Sequence, residues 1–237
     1  MNSHKDFIRS PISDIITDVV SANAGIGNGI ETYPLGDYVM QSVFLKMTGF
    51  QEQKMKCICW ELATHDYEYR YKRYALKPLG ECSTYDEKKT IYKDLIEQIK
   101  KHIPDFDVSI FLDKEIIKTD TLSEIRDIFS DTNFSTWSQK NFFEFKGNTD
   151  LIQSNHFGSE NNLLENVLQN KYSLLYNHRN RCAHNTLSYQ QNLPTLKTLL
   201  NDNYRYDNYF VRFALLVLLD KIFVKLYEKY ATLLDLD

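Results

Sequence analysis

Between positions 178 and 185 the chain reads His178-Arg179-Asn180-Arg181-Cys182-Ala183-His184-Asn185. This crowd of donors follows directly on an apolar stripe made of Leu163, Leu164, Val167, Leu168, Tyr172, Leu175 and Tyr176. Polar groups beside a core surface are costly to bury without partners, so such a cluster either satisfies itself or faces a ligand. Two imidazoles and guanidinium groups together suit one reaction, the cleavage of RNA through its own 2′-hydroxyl. An imidazole with a pKa near neutrality takes the 2′-OH proton, and another protonates the leaving 5′-oxygen. A guanidinium grips the scissile phosphate and stabilises the charge that grows on its oxygens. The reaction requires neither metal nor cofactor. The sequence holds no His-Glu-x-x-His, EF-hand loop or Cys-x-x-Cys pair, and Cys57-x-Cys59 is too closely spaced for a zinc knuckle.

Spacing then sets a geometric condition. On a continuous helix Asn180 lies one turn before His184 and can steady its ring, with Arg181 a neighbour three positions away. Arg179 and His184 are five residues apart, about 140° around the axis. Their convergence needs a bend, or a second copy of the segment facing the first across a two-fold axis.

The elements that must carry this segment are legible in outline. The 237 residues contain only 8 Gly and 5 Pro, with 43% hydrophobic content, so the expectation is a mainly α chain, a helical bundle with a sizeable core. Residues 1–35 read as an N-terminal arm with a Gly-rich connector, and 36–237 as a single helical domain. One or two long helices are expected from Leu35 to about Lys77, with Gly49 as a natural break, and another from Asp86 to His102 before Pro104. Residues 104–158 read as an irregular insertion or subdomain: a short strand at Val108–Leu112, a helical turn or two at Leu122–Phe129 and an aromatic helix at Phe134–Phe145. Ser159-Glu160 should open the helix that leads into Arg179. After a polar turn at Asn201-Asp202-Asn203, a last helix from Tyr209 to about Leu234 is apolar on most sides, fit for the centre of a bundle or a dimer interface.

The net charge of -4 argues against nucleic-acid binding by overall charge, leaving local patches. One such patch is the stretch from His65 to Tyr74, where Tyr69, Arg70 and Arg73 belong to a tyrosine–cation stripe. Such a stripe can stack on unpaired bases and meet phosphates; the same pattern also suits a half-buried helix with solvated charges. Four cysteines without a signal-like N-terminus point to reduced thiols and a cytoplasmic protein, and no apolar run is long enough to span a membrane.

The string from Arg179 to His184 resembles the Arg-Asn-x-x-x-His signature of the HEPN superfamily, and its place at the end of a long helix, with a further hydrophobic helix after it, fits as well. The resemblance implies a helical bundle, a homodimer that joins two motifs into one site, and metal-independent cleavage leaving 2′,3′-cyclic phosphate and 5′-hydroxyl ends. Many members resemble toxins or effectors of antiviral defence, which adds a cognate antitoxin or regulatory protein as a partner. Carried over by position, Arg179 and His184 are the catalytic pair and Asn180 the orienting residue. Arg181 and His178 stand beside them as RNA contacts, although His178 also reads as an exposed neighbour. A further polar side chain from an earlier helix is expected, with Glu61 and Asp66 the candidates. The alternative is a non-catalytic helical interaction or nucleotide-binding protein, in which Arg179, Asn180 and His184 merely cap a helix end.

Overall fold

The structure, a computed structural model, describes residues 4–27, 29–148, 150–184 (His184 by its backbone only) and 208–234. It is mainly helical, and among the described residues extended pairing is limited to one antiparallel bridge between Phe157 and Leu164. The expected turn at Asn201–Asn203 and the neighbour Asn185 lie outside the described residues.

Helix α3, Tyr33–His65, is the spine. It starts with Pro34 in its first turn, where a missing N–H costs nothing. Gly49 does not break it: Met47, Thr48, Gln51, Lys54 and Met55 are buried on either side of the glycine. Their burial outweighs the roughly 1 kcal/mol that a helical glycine costs. The spine ends at Asp66, whose carboxylate accepts the Tyr69 N–H at 2.9 Å and so starts the short helix α4, Tyr67–Tyr71. One wider π-type turn, Lys72–Leu76, follows. Helix α5, Tyr85–His102, opens with a reciprocal cap between Thr84 and Glu87 and ends just before Pro104.

The final helix, Tyr209–Leu234, is the centre of the bundle. From Phe210 to Asp220 every residue is buried, which a helix achieves only when it is surrounded. The spine, α5 and α7, Lys114–Phe129, all pack against it. Two earlier helices, α1 His4–Arg9 and α2 Asp14–Asn23, flank the spine, with Ile8, Ile12, Ile15 and Ile16 buried. A buried ion pair ties this arm down. Lys54 Nζ lies 2.7 Å from Asp220 Oδ1 and also donates to the Ser10 carbonyl, while Asp220 Oδ2 accepts the Ile12 N–H at 3.1 Å.

Residues 104–158 share this core. Val108–Phe111 is a short helix, α6, and not a strand, because the Asp107 carboxylate accepts the Ser109 N–H at 2.7 Å and turns the chain into a helical start. Helix α7 runs a full 16 residues. The aromatic stretch divides at Ser138 into α8, Asn133–Trp137, and α9, Gln139–Gly147. Phe129, Phe142 and Phe145 close on Phe210 with ring centroids 5.0, 5.0 and 6.2 Å away.

Helix α10, Asn166–His184, begins later than the sequence suggests. Ser159 is held in a loop by its hydroxyl bond to Glu165 at 2.7 Å, and Gly158 takes a φ of 67° that suits glycine. The bridge at Leu164 completes that loop, so Leu163 and Leu164 are buried before the helix starts. The final helix is α11 in chain order. No described helix is long and apolar enough to cross a membrane.

Candidate functional site

Arg179 sits on the last turns of α10, half-buried, with its side chain facing the spine. Its Nη2 lies 3.3 Å from Glu52 Oε1 of α3, and its Nη1 donates to Asn180 Oδ1 at 3.3 Å. The side chains keep 26% and 14% exposure, and the single long contact marks a loose pair. Glu52 is therefore the acidic partner from an earlier helix. The expected candidates are held elsewhere: Glu61 meets Tyr227 and His4, and Asp66 caps α4 while accepting from Gln98 and Lys101. Glu52 stands 127 positions from Arg179, and no local pattern marks it.

Beneath this pair lies Lys88 of α5, 2% exposed, donating to the carbonyls of Cys82 and Ser83 at 2.7 and 3.1 Å. Burial lowers its ammonium to about 8, opposed by the nearby Glu52 charge and assisted by Arg179. Tyr172, one face of which carries Lys88 at 5.6 Å, donates to the Ser83 carbonyl at 3.1 Å. Thus Lys88 and Arg179 lie among the carboxylates Glu52 and Glu87 at the foot of the motif.

His178 occupies the other side of α10. It is not an exposed neighbour: its ring packs 5.4 Å from both Phe44 and Tyr209, and Nε2 lies 3.1 Å from the Tyr209 hydroxyl. Arg181 Nη2 approaches Nδ1 at 3.4 Å. A guanidinium only donates, so Nδ1 is the acceptor and Nε2 carries the proton. Burial, with Arg212 and Arg181 adding repulsion, pushes the imidazole down to about 3. His178 is a neutral joint between α10 and α11, which removes it from the set of free RNA contacts. Cys182, whose Sγ lies 3.3 Å from the same Nε2, is packed there too, and burial pushes its thiol up.

The helix reaches His184 without a break. Positions 180 and 184 share a face one turn apart, and positions 179 and 184 diverge by about 140°. The bend that would bring Arg179 and His184 together within one chain is thus absent from the described backbone; the His184 side chain lies outside the described residues.

The tyrosine–cation stripe separates into parts. Tyr69 is 3% exposed and offers no face to a base. Arg73 is spent on Asp94, with Nε at 2.7 Å and Nη2 at 2.5 Å from its two oxygens. Arg70 stays exposed, its guanidinium 5.1 Å from the Tyr67 ring centroid. Of the three expected contacts only Arg70 faces solvent, because α4 turns Tyr69 inward as it packs on the spine and the π-type turn carries Arg73 to Asp94 of α5.

Among the described residues no group of three or more His, Cys, Asp or Glu is placed to hold a metal ion. Compared with family models, curated proteins and solved structures, the chain shows no match.

Proposed function

We propose that this chain is a metal-independent endoribonuclease of HEPN type that works as a two-fold dimer. The observation that carries the reading is the placement of Arg179, half-buried and loosely held by Glu52 and Asn180, on a helix that runs unbroken to His184. A phosphate competes with Glu52 for the guanidinium, and Arg179 then stabilises charge on the phosphoryl oxygens. His184 takes the 2′-OH proton and Asn180 steadies its ring. The 2′-oxygen attacks phosphorus, the P–O5′ bond breaks, and the leaving 5′-oxygen receives its proton from the His184 imidazole of a second copy. The products are a 2′,3′-cyclic phosphate and a 5′-hydroxyl. Because Arg179 and His184 diverge around one helix, a facing copy supplies the missing convergence. Arg181 and Arg70 are further phosphate contacts.

A chain with this activity fits a cytoplasmic toxin or antiviral effector restrained by an antitoxin or regulatory protein. The test is incubation of the purified protein with single-stranded RNA in EDTA. Cleavage that falls at least about 100-fold in His184→Ala and Arg179→Ala supports the reading; cleavage undiminished by either variant, or no cleavage together with a strictly monomeric protein, overturns it.

A second reading has its own observation. The contact with Glu52 neutralises Arg179 in the free chain, which suits a site that binds a nucleotide or RNA without cutting. That reading predicts thermal stabilisation by a nucleotide with no product formed.

A further inference from the structure

Cys59 on α3 and Cys82 in the loop before α5 stand near enough for each thiol to shift the other's titration, while the Cys82 thiol donates to the Gly80 carbonyl at 3.8 Å. Both line one cavity of about 320 Å³, together with Lys56, Trp60, Arg73 and Tyr74. Trp60 and Tyr74 are more than half exposed, so the cavity's rim meets solvent even though both cysteines are buried. The backbone of Cys82 has a φ of 60°, a region that residues with a β-carbon rarely enter. It is pinned there from several sides. Lys88 takes the carbonyls of residues 82 and 83, Tyr172 takes the carbonyl of residue 83, and the Thr84–Glu87 cap fixes the next position. The fold holds an unfavourable backbone conformation, and the result is two cysteines from different elements in the wall of one cavity.

We propose that Cys59 and Cys82 form a reversible dithiol–disulfide pair, oxidised by hydrogen peroxide that enters through this cavity. Cys82 attacks first as the thiolate. Its sulfur bonds to one peroxide oxygen, the O–O bond breaks, and the departing hydroxide takes a proton to become water, leaving a sulfenic acid. The Cys59 sulfur then attacks the Cys82 sulfur, the S–O bond breaks, and hydroxide leaves with the Cys59 proton as a second water. Two thiols and one peroxide yield one disulfide and two waters, and a thiol reductant reverses the change. The asymmetry between the two sulfurs sets this order. The neighbouring Cys59 thiol holds the Cys82 thiol below its ordinary value, with Lys88 and Lys56 helping, whereas Cys59 is pushed well above it by the nearby Cys82 and by burial. Cys57 is two positions from Cys59, about 200° around the helix, and Cys182 packs against His178. Neither lines this cavity.

The bond would join the spine to the loop whose carbonyls hold Lys88 and Tyr172. This dithiol stands whether or not the chain cuts RNA, so its test needs no nuclease readout. The full chain carrying Cys57→Ser and Cys182→Ser is treated with hydrogen peroxide, unfolded, alkylated and digested. The expected result is joint protection of both remaining thiols, a mass loss of about 2 Da, a peptide pair linked through Cys59 and Cys82, and reversal by dithiothreitol. In a further Cys59→Ser variant, Cys82 should stop at a sulfenic acid that dimedone traps. Both thiols still alkylated after peroxide, links only between chains, or oxidation straight to sulfinic acid without a link would each overturn the proposal. So would dimedone labelling at Cys59 but not Cys82 in the two single-serine variants, because the first attack would then lie on the wrong sulfur.

Discussion

Two arginines that the sequence offers to RNA, Arg73 as a contact and Arg179 as a catalytic residue, meet different fates. Arg73 grips Asp94 with two short bonds, at 11% and 1% side-chain exposure, while Arg179 touches Glu52 once, at 3.3 Å and 26% and 14% exposure. The first pair resembles two halves of a lock: the planar fork matches the carboxylate and the acid has little other solvation. The second is held just firmly enough to be aimed. A guanidinium available to a phosphate must be cheap to release, and the Arg179 contact meets that condition where the Arg73 contact does not.

The contrast is sharpest in stability. Arg73→Ala strands the buried Asp94, whose remaining cation, Lys72, is 3.9 Å away and 42% exposed. Denaturant unfolding should show a loss of about 3 kcal/mol, near the lower end for breaking a buried pair. Arg179→Ala should cost less, about 1 kcal/mol in the same measurement, because the contact is single and long and Glu52 keeps Lys88 as a second cation nearby. Equal losses would erase the distinction.

In cleavage assays the order reverses. Arg179→Lys keeps the charge but loses the fork, and cleavage should fall by roughly 10²-fold. The folded fraction of Arg73→Lys, measured under conditions where the variant is still native, should cut at a rate within about threefold of the parent. A milder effect is expected from pH. His178 has a folded pKa of about 3 against an ordinary value near 6.5. Between those values the unfolded chain binds a proton that the folded chain refuses, so stability falls as pH drops from 6.5 towards 3. His178→Gln should flatten that part of a melting-temperature profile; an unchanged slope would remove His178 as its source. The smallest effect is expected at Glu52. Glu52→Gln relieves Arg179 of its competitor and should tighten RNA binding a few-fold, an effect that added salt should diminish.

The sequence made the main helices legible wherever apolar spacing and end signals agreed. The α5 helix before Pro104 was readable in this way because its periodicity and end signals are local, and the last helix from Tyr209 was readable from its long, nearly all-round apolar run. Val108–Leu112 misled because its β-branched and aromatic residues favour a strand, whereas the Asp107 cap and the partners in the core favour a helix. Ser159 looked like a helix start because a Ser-Glu pair commonly is one; here its hydroxyl reaches Glu165 and closes a loop. Gly49 passed unnoticed by the helix because burial on either side outweighs its flexibility. At the site, the string from Arg179 to His184 was plain, but the depth of Tyr69 and the inward turn of His178 depend on rotation about a helix axis fixed by distant partners. Glu52 meets Arg179 only through the packing of α10 on α3, which no short window contains.

The ammonium of Lys54 and the carboxylate of Asp220 leave a further mark on the molecule. Each also takes a hydrogen bond with the backbone, Lys54 at Ser10 and Asp220 at Ile12, so residues early and late in the chain are stitched at a single buried point. Trimming the first dozen residues to obtain a smaller bundle would take away ligands of that charge pair while leaving the charges in place. The arm is thus an inseparable part of the folding unit, and a shortened version of this protein would have to be rebuilt at positions 54 and 220 before it could stand alone.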